Sequence, residues 1–223
     1  EGWGGFRFSV YVGWRFDEGA GKTTVVWTVA SSFEGDEPMA IAKARVEKAL
    51  DGGLNALRTE HLEWWRAFWD RTWLRVPNPR IERQWYLDTY KLGAAARPDA
   101  PPVSLQGPWT ADNGKLPPWK GDYHHDLNTQ MTYWPCYSGN RLEAGQGFVD
   151  WLWEHRDNCR AWTRTFFDMP GLAVPMTTDL HCNQIGGWRQ YTHSAMMGAW
   201  LAQHFYWQWK YSGDPDFLRG HAY

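Results

Sequence analysis

The chain has 223 residues, with 23 Lys and Arg against 25 Asp and Glu, and a formal net charge of −2. This balance argues against a nucleic-acid-binding surface, which normally carries a basic excess. No run of about 18 apolar residues occurs, so the sequence predicts no insertion into a membrane. The 3 cysteines show no zinc-ligand spacing, and we expect neither a metal nor another cofactor. The 18 tryptophans are the most informative count, because so many rings need a packed core or a ligand to stack on.

The first elements along the chain are two predicted β-strands. Residues 3–16 carry apolar and aromatic side chains at every second position, and Thr23 to Phe33 shows a second run rich in β-formers. The segment from Asp17 to Lys22 predicts a hairpin turn between them. The tripeptide Gly21-Lys22-Thr23 resembles the end of a phosphate-binding loop, but Phe16 stands where such a loop needs its first glycine. A lone hairpin is only marginally stable, so we expect a larger sheet.

The period then changes to that of helices. Asp36-Glu37-Pro38 predicts a helix start, and Asp51-Gly52-Gly53 predicts its end. A second helix is predicted from about Leu54 to Arg71, with an aromatic stripe that is more typical of packing than of ligand binding. On this stripe, His61 is predicted to be a core or interface histidine.

Further helices are predicted at Ile81–Ala96, Leu142–His155, Asn158–Phe167 and Ala195–Tyr211. Long loops rich in polar and aromatic residues lie between some of them, including the loop from Val174 to Ser194. This alternation is typical of helical hairpins whose loops meet at one mouth. The sequence therefore predicts a mainly α fold.

The most informative stretch runs from Leu105 to Glu143. Large rings alternate there with amide, carboxylate and imidazole groups, and Pro117-Pro118 excludes a regular helix before Tyr123. A loop of this length is usually functional or disordered, and its many large rings argue against disorder. Aromatic faces beside such polar groups suit a polyhydroxylated ligand. The alternative is an aromatic loop that caps a helical domain.

The second half of this stretch, from Leu127 to about Tyr137, can form a helix. That helix would place Asp126 and Asn128 at its entrance, where the helix dipole and free amides favour a carboxylate. Asp126 could equally be a plain N-cap.

Three motifs occur here in a fixed order: Leu105-Gln106-Gly107-Pro108-Trp109, then Pro117-Pro118-Trp119, then Tyr123-His124-x-Asp126-x-Asn128-x-Gln130-Met131-x-Tyr133-Trp134. This combination resembles the active-site signature of glycoside hydrolase family 95. Members are inverting α-L-fucosidases and α-L-galactosidases with an (α/α)6 barrel, also called a six-hairpin toroid. Gly198 to His204 resembles a later family helix. Asp126 departs from the pattern, which typically has asparagine there.

The resemblance implies a domain order. Residues 1–35 would form the end of an N-terminal β-sandwich, 36–76 a helical linker, and 77–223 the first part of the (α/α)6 barrel. Roughly five helices are predicted after Val76, against about twelve in a complete barrel. We therefore expect the chain to be a fragment that packs against the remainder of its own polypeptide.

The resemblance also implies an inverting, exo-acting hydrolysis of a terminal sugar from an oligosaccharide. Asn128 and Asp126 are the predicted catalytic residues. Asn128 would position or activate the water, and the carboxylate of Asp126 is chemically able to act as the base or to polarise the Asn128 amide. The general acid is expected beyond Tyr223, and Glu143 and Glu154 are predicted to be ordinary helical acids. The predicted substrate-binding residues are Trp109, Trp119, Tyr123, His124, Gln130, Trp134, His181 and Trp188.

Several alternatives stay open at this point. Gln130 could simply face solvent, and His204 is predicted to be a core residue. The Asp126 departure could shift the preference to another hexose or to a uronic acid. Two other functions are possible: a disaccharide phosphorylase of the same barrel clan, for which no clear phosphate-binding cluster is visible, or a non-catalytic carbohydrate-binding protein.

Overall fold

The computed structural model describes residues 5–108, 115, 118–186 and 192–221. These residues are mainly helical, with a small antiparallel sheet near the N-terminus, which confirms the predicted fold class. The chain divides into two compact units, residues 1–70 and 71–223. The predicted domain boundaries after residues 35 and 76 stay a prediction.

The first unit contains the predicted hairpin, β1 (Phe8–Asp17) and β2 (Lys22–Ser31). The strands are antiparallel, with Val12 opposite Trp27. One face packs closely on the helix that follows, α1 (Pro38–Gly52), because a Cβ added at Gly13 would lie 2.7 Å from Cγ1 of Val46. The other face is exposed and consists of the apolar residues Phe8, Val10, Val12, Trp14, Phe16, Val25, Trp27 and Val29. An exposed apolar face of this kind is consistent with the larger sheet we expect, which stays a prediction.

The same unit contains α1 (Pro38–Gly52) and α2 (Leu54–Asp70). The aromatic stripe of α2 packs on itself at one-turn spacing, since Trp64 stacks on Phe68 with ring centroids 5.3 Å apart. His61 is exposed, with its ring 6.4 Å from that of Trp65. The core alternative for His61 is therefore wrong, and the interface alternative stays a prediction.

Six helices are described in the second unit: α3 (Pro79–Ala95), α4 (Leu127–Ser138), α5 (Leu142–Glu154), α6 (Arg156–Phe167), α7 (Met197–Ser212) and α8 (Pro215–His221). The local signals explain their ends. Asn78 caps α3 by accepting a hydrogen bond of 3.0 Å from the backbone N–H of Arg80. Gly213 ends α7 in the left-handed conformation, with φ 65°. The last short helix, α8, was not predicted.

The core of this unit lies between α4, α5 and α7. Tyr133 of α4 stacks on Phe148 of α5 with ring centroids 4.2 Å apart and an interplanar angle of 8°. Leu201 of α7 is 2% exposed in the same cluster. Apolar packing of this density fixes α4, which carries the motif residues at its N-terminal end.

Candidate active site

A short antiparallel ladder brings the two polar-aromatic loops together. Its strands are β3 (Tyr123–His124) and β4 (Thr177–Thr178), with Tyr123 opposite Thr178. The backbone N–H of His125 extends the contact by donating to the carbonyl of Met176 at 2.8 Å. The predicted approach of the two loops is therefore confirmed for these segments.

The base of the site is a buried aromatic layer. His125 is fully buried, and its Nε2 lies 2.8 Å from Oγ1 of Thr178. Burial lowers the pKa of His125 to about 3, so the ring is neutral at pH 7. Tyr123 stacks on it, and the Tyr123 hydroxyl donates to the carbonyl of Pro102 at 2.8 Å. Because this hydroxyl is engaged and the residue is buried, we assign Tyr123 to the support of the site; its substrate-binding role stays a prediction.

Gln130 anchors α4 from the inside. The residue is fully buried, so the solvent-facing alternative is wrong. Its Nε2 donates to the carbonyl of His125 at 3.0 Å. Its Oε1 accepts from Nε2 of Gln203 at 2.9 Å and from Nε2 of His204 at 2.7 Å. Since these contacts leave no exposed polar group, we propose a supporting role for Gln130 instead of the predicted ligand contact.

The network continues through His204. Because the Gln130 oxygen can only accept, His204 carries its proton on Nε2, and its Nδ1 accepts from the Tyr137 hydroxyl at 2.9 Å. His204 is fully buried, which confirms the predicted core position, and burial lowers its pKa to about 4. All the polar groups of this network are neutral at pH 7.

Asp126 stands at the N-cap position of α4, but its side chain makes no capping hydrogen bond. Its backbone carbonyl accepts from the N–H of Gln130 at 3.3 Å. Its Oδ1 is buried and has no hydrogen-bond partner among the residues the structure describes. A buried acceptor without a donor is costly, and such groups need an explanation. The plain N-cap alternative is therefore wrong for the side chain, which has an oxygen available for an incoming donor.

Asn128 is the second residue of α4 and is exposed. Within the described ranges its side chain makes no hydrogen bond, although its carbonyl accepts from Oγ1 of Thr132 at 2.9 Å. Its neighbours on the helix surface, Leu127 and Met131, are 54% and 55% exposed. The Asn128 amide thus offers both a donor and an acceptor to a ligand or a water molecule.

His124 stands beside a second carboxylate, that of Asp122. Its Nε2 lies 3.0 Å from Asp122 Oδ1, and the two side chains are only 17% and 8% exposed. The Asp122 carboxylate raises the pKa of His124; partial burial opposes this effect, and the charge of Asp126 adds to it. The charged imidazolium is therefore favoured at this position.

An aromatic ring flanks His124. The Trp119 ring meets that of His124 edge-on, with centroids 5.7 Å apart, and Trp119 is 50% exposed. The backbone of Trp119 has φ 61°. This left-handed conformation is rare for a bulky residue and concentrates at functional sites. The Trp119 ring is half exposed to solvent beside the polar cluster, a position that suits stacking on a ligand.

The other predicted binding residues lie in separate surroundings. Trp134 is partly buried, and its ring meets that of Trp207 in a T-shape at 6.3 Å. His181 is exposed, with its ring 5.5 Å from that of His155. Trp109 and Trp188 lie outside the described residues.

Sequence reasoning missed Asp122 and named the Leu127–Tyr137 helix without its β3–β4 support. Asp122 lies two residues before His124, and positions two apart share one face of an extended segment, so this spacing was a usable signal.

Glu143 is exposed and forms an ion pair with Arg71. No group of at least 3 potential metal ligands is found among the described residues. Across the same residues, no helix is long and apolar enough to span a membrane.

The Glycosyl hydrolase family 95 catalytic domain matches residues 55–223, well over half of the chain. The chain belongs to this family. The resemblance carried by residues 105–134 is thereby confirmed, and the cluster of Trp119, His124, Asp126 and Asn128 lies within the family 95 domain.

Two curated relatives match parts of this family 95 chain. Alpha-L-fucosidase 2 of Arabidopsis thaliana is 28% identical over 145 residues, which cover 64% of this chain and 17% of that protein. Probable alpha-fucosidase A of Aspergillus niger is 23% identical over 231 residues, covering 86% of this chain and 27% of that protein. The chain thus spans well under a third of the length of either relative.

A solved structure provisionally named a kojibiose phosphorylase, from the human microbiome, has a TM-score of 0.74 at 14% identity. The match covers 97% of this chain and 32% of that chain. At this identity the likeness shows the fold alone, and it confirms the predicted six-hairpin glycosidase class for the family 95 chain.

Proposed function

We propose that the protein carrying this chain is an inverting, exo-acting glycoside hydrolase. It would release a terminal sugar of the α-L-fucoside or α-L-galactoside type from an oligosaccharide. The observation that carries the proposal is the entrance of α4, where a buried Asp126 oxygen and the exposed Asn128 amide have no partners among the described residues. Membership of family 95 and the names of the two fucosidase relatives support the reaction class.

Asn128 has the chemistry needed to position the attacking water. Inversion requires an activated water on one face of the sugar and an acid on the opposite face. In our proposal, the amide oxygen of Asn128 accepts a hydrogen bond from the water and directs its lone pair at the anomeric carbon. A bond forms between the water oxygen and that carbon while the glycosidic bond breaks. The leaving oxygen takes a proton from a general acid, and the attacking water loses a proton to an assisting carboxylate.

An amide is a weak base and needs help from a carboxylate. We propose that the assisting carboxylate and the general acid come from parts of the polypeptide outside residues 1–223. Glu143 is unsuited to the acid role because it is exposed and paired with Arg71. Glu154, which is the last residue of α5, is also exposed.

Asp126 is proposed to recognise the sugar. Its unpartnered Oδ1 accepts hydrogen bonds and cannot donate them, whereas the asparagine expected there by resemblance could do both. A sugar hydroxyl that donates to this oxygen would satisfy it. This difference would set the sugar preference apart from that of relatives with asparagine.

Aromatic rings complete the proposed site. Trp119 is half exposed beside His124, and we propose that its ring stacks on the sugar. Trp109, Trp134 and Trp188 are further proposed stacking residues, with His181 at the margin. Aromatic stacking adds roughly 0.5–1.5 kcal/mol beyond area burial, which suits binding of a single terminal sugar.

A disaccharide phosphorylase is the second candidate, favoured by the name of the solved structure with the same fold. In that reaction a phosphate oxygen would replace water as the attacking group. It requires an anion site near Asn128, whereas the charges that act on His124 among the described residues are the carboxylates of Asp122 and Asp126. Two carboxylates disfavour a phosphate dianion, so hydrolysis is the stronger proposal.

The test is a glycoside panel on the protein, with product anomers followed by NMR. Fucosides, galactosides, rhamnosides and glucosides are assayed with and without phosphate. Phosphate-independent release of an inverted sugar from an α-L-glycoside is expected. A phosphate requirement would establish the phosphorylase instead, and binding of sugar without any turnover would establish a non-catalytic carbohydrate-binding protein.

A further inference from the structure

Asp122 takes no part in the reaction proposed above, yet its carboxylate is held firmly at the edge of the site. Its backbone N–H donates to the carbonyl of Trp119 at 3.2 Å, and its carbonyl accepts from the N–H of Leu105 at 2.9 Å. Its side chain is 8% exposed, and Oδ1 lies 3.0 Å from Nε2 of His124. The main-chain bonds on both sides fix where this carboxylate stands.

Among the described residues, the charges that raise the pKa of His124 are those of two carboxylates. Asp122 has its Oδ1 3.0 Å from Nε2 of His124, and Asp126 at the entrance of α4 adds a smaller effect. Across the ladder His124 is opposite Thr177, which carries no charge. The neighbouring His125 is neutral, since burial lowers its pKa to about 3. An imidazole in contact with one carboxylate and subject to the charge of a second is stabilised in its protonated form.

We propose that Asp122 is a positioning residue that orients the His124 ring through Nε2 and keeps it protonated, so that Nδ1–H donates to a hydroxyl oxygen of the sugar. Nδ1 makes no hydrogen bond with the described residues, and the side chain is 17% exposed. A protonated imidazole can only donate, so His124 would bind the sugar and would not act as the base. This inference deepens the proposed function and rests on it.

The donor His124 and the acceptor Asp126 are complementary. A sugar hydroxyl both donates and accepts, so a fixed donor and a fixed acceptor at one edge of the site select for a hydroxyl group. A site built to hydrogen-bond a hydroxyl rejects an analogue that lacks it, because its polar groups then stay unpaired. The Asp122–His124 pair would therefore determine specificity as well as affinity.

The sign of the pH dependence follows from the charge. The raised pKa of His124 means that the donor is present below that pKa and is lost as the pH rises through it. Asp122→Asn removes the largest cause of the increase. The rise in KM with pH should then begin at a lower pH, while kcat changes little because His124 touches no reacting atom in this scheme.

The experiment measures both quantities in the protein carrying this chain. The His124 ring is titrated by NMR with isotope-labelled histidine, and His124→Gln assigns its signal. KM and kcat are then measured against pH for the wild type, Asp122→Asn and Asp122→Glu. A matched control is Asp150→Asn, because Asp150 also lies beside a histidine, with Oδ1 3.9 Å from Nε2 of His221.

We expect Asp122→Asn to lower the pKa of His124 and to raise KM at pH 7 about fivefold, the difference between a charge-assisted and a neutral hydrogen bond. Asp122→Glu should restore most of the wild-type profile, and Asp150→Asn should leave it unchanged. A wild-type His124 pKa no higher than that of an ordinary histidine would overturn the inference, even if a variant failed to fold. So would an unchanged KM profile in Asp122→Asn. A wild type that hydrolyses no glycoside would overturn the proposed function, while the ring titration would still test the Asp122–His124 pair separately.

Discussion

The polar groups at the two ends of the motif on α4 differ in their hydrogen bonding. On the inner side, Gln130 is buried with both amide atoms bonded, and the Tyr133 hydroxyl accepts from the N–H of Val103 at 2.8 Å. At the entrance, Asp126 keeps a buried oxygen without a partner, and the exposed Asn128 amide is unbonded within the described ranges.

On this difference we base the proposal that Asp126 and Asn128 meet the ligand while Gln130 supports the helix. Leaving one buried polar group unpaired costs about 1–3 kcal/mol, so a fold keeps such a group only where something else offsets the cost. A sugar hydroxyl or a water molecule can supply the missing partner at the entrance. On the inner side no ligand is needed, and substitutions there should affect folding before they affect chemistry.

The largest expected effect on stability comes from Gln130→Leu. The change removes the acceptor of Gln203 and His204 and the donor to the His125 carbonyl. The free energy of unfolding should fall by about 3 kcal/mol, because several buried groups lose partners together. Urea denaturation measures this loss.

The matched control is Gln84→Leu on α3. Gln84 is exposed and bonds only Asp88 among the contacts described, so its replacement should change the unfolding free energy by less than about 0.5 kcal/mol. Equal losses of unfolding free energy in Gln130→Leu and Gln84→Leu would show that the buried network stabilises the fold no more than an exposed hydrogen bond does.

The next effect is a pH dependence of stability from the same network. The folded pKa of His204 is lowered to about 4, below that of an unfolded histidine, so the unfolded chain binds the proton more readily. Its stabilising contribution is full at neutral pH and falls by about 1.4 kcal/mol per pH unit as the pH drops below about 6.5. His204→Gln should remove this contribution to the slope of the unfolding free energy against pH, between about pH 6 and pH 4.5.

Urea denaturation at each pH compares the slopes of the wild type and His204→Gln. The control is His181→Gln, which replaces an exposed histidine of the same unit. Identical slopes in the wild type and His204→Gln would mean that His204 is not held neutral by burial.

A smaller effect is expected at Trp119, where backbone and ring can be tested separately. Trp119→Ala and Trp119→Gly both remove the stacking ring, and each should raise KM by about tenfold. Only glycine suits a φ of 61°, so Trp119→Gly should be more stable than Trp119→Ala by about 1 kcal/mol. If both variants keep the wild-type KM, the ring is no part of the sugar site.

The sequence predicted the local features well because their signals are local. The hairpin has a period of two with a turn, and the helix predicted from Leu127 to about Tyr137 matches α4 (Leu127–Ser138). His204 lies in an aromatic helix with apolar neighbours, and its core position was predicted from that pattern.

The approach of the two polar-aromatic loops was predicted, but the exact pairing between these distant segments was not. The β3–β4 ladder has two residues per strand, too few for any periodicity, and its pairing joins distant segments. The sequence predicts a ligand contact for Gln130, because an amide in a motif has the same chemistry whether its partner is a sugar or a buried histidine. Its contacts with Gln203 and His204 of α7, which favour the supporting role, depend on the fold.

The most direct test compares turnover and stability in Asn128→Ala. We expect kcat of Asn128→Ala to fall by about a thousandfold or more, because the water loses the group that positions it. The same variant should unfold within about 0.5 kcal/mol of the wild type, because Asn128 is exposed and unbonded among the described residues. A kcat within tenfold of the wild type, or a loss of several kcal/mol in stability, would contradict the claim that the entrance of α4 is the catalytic centre.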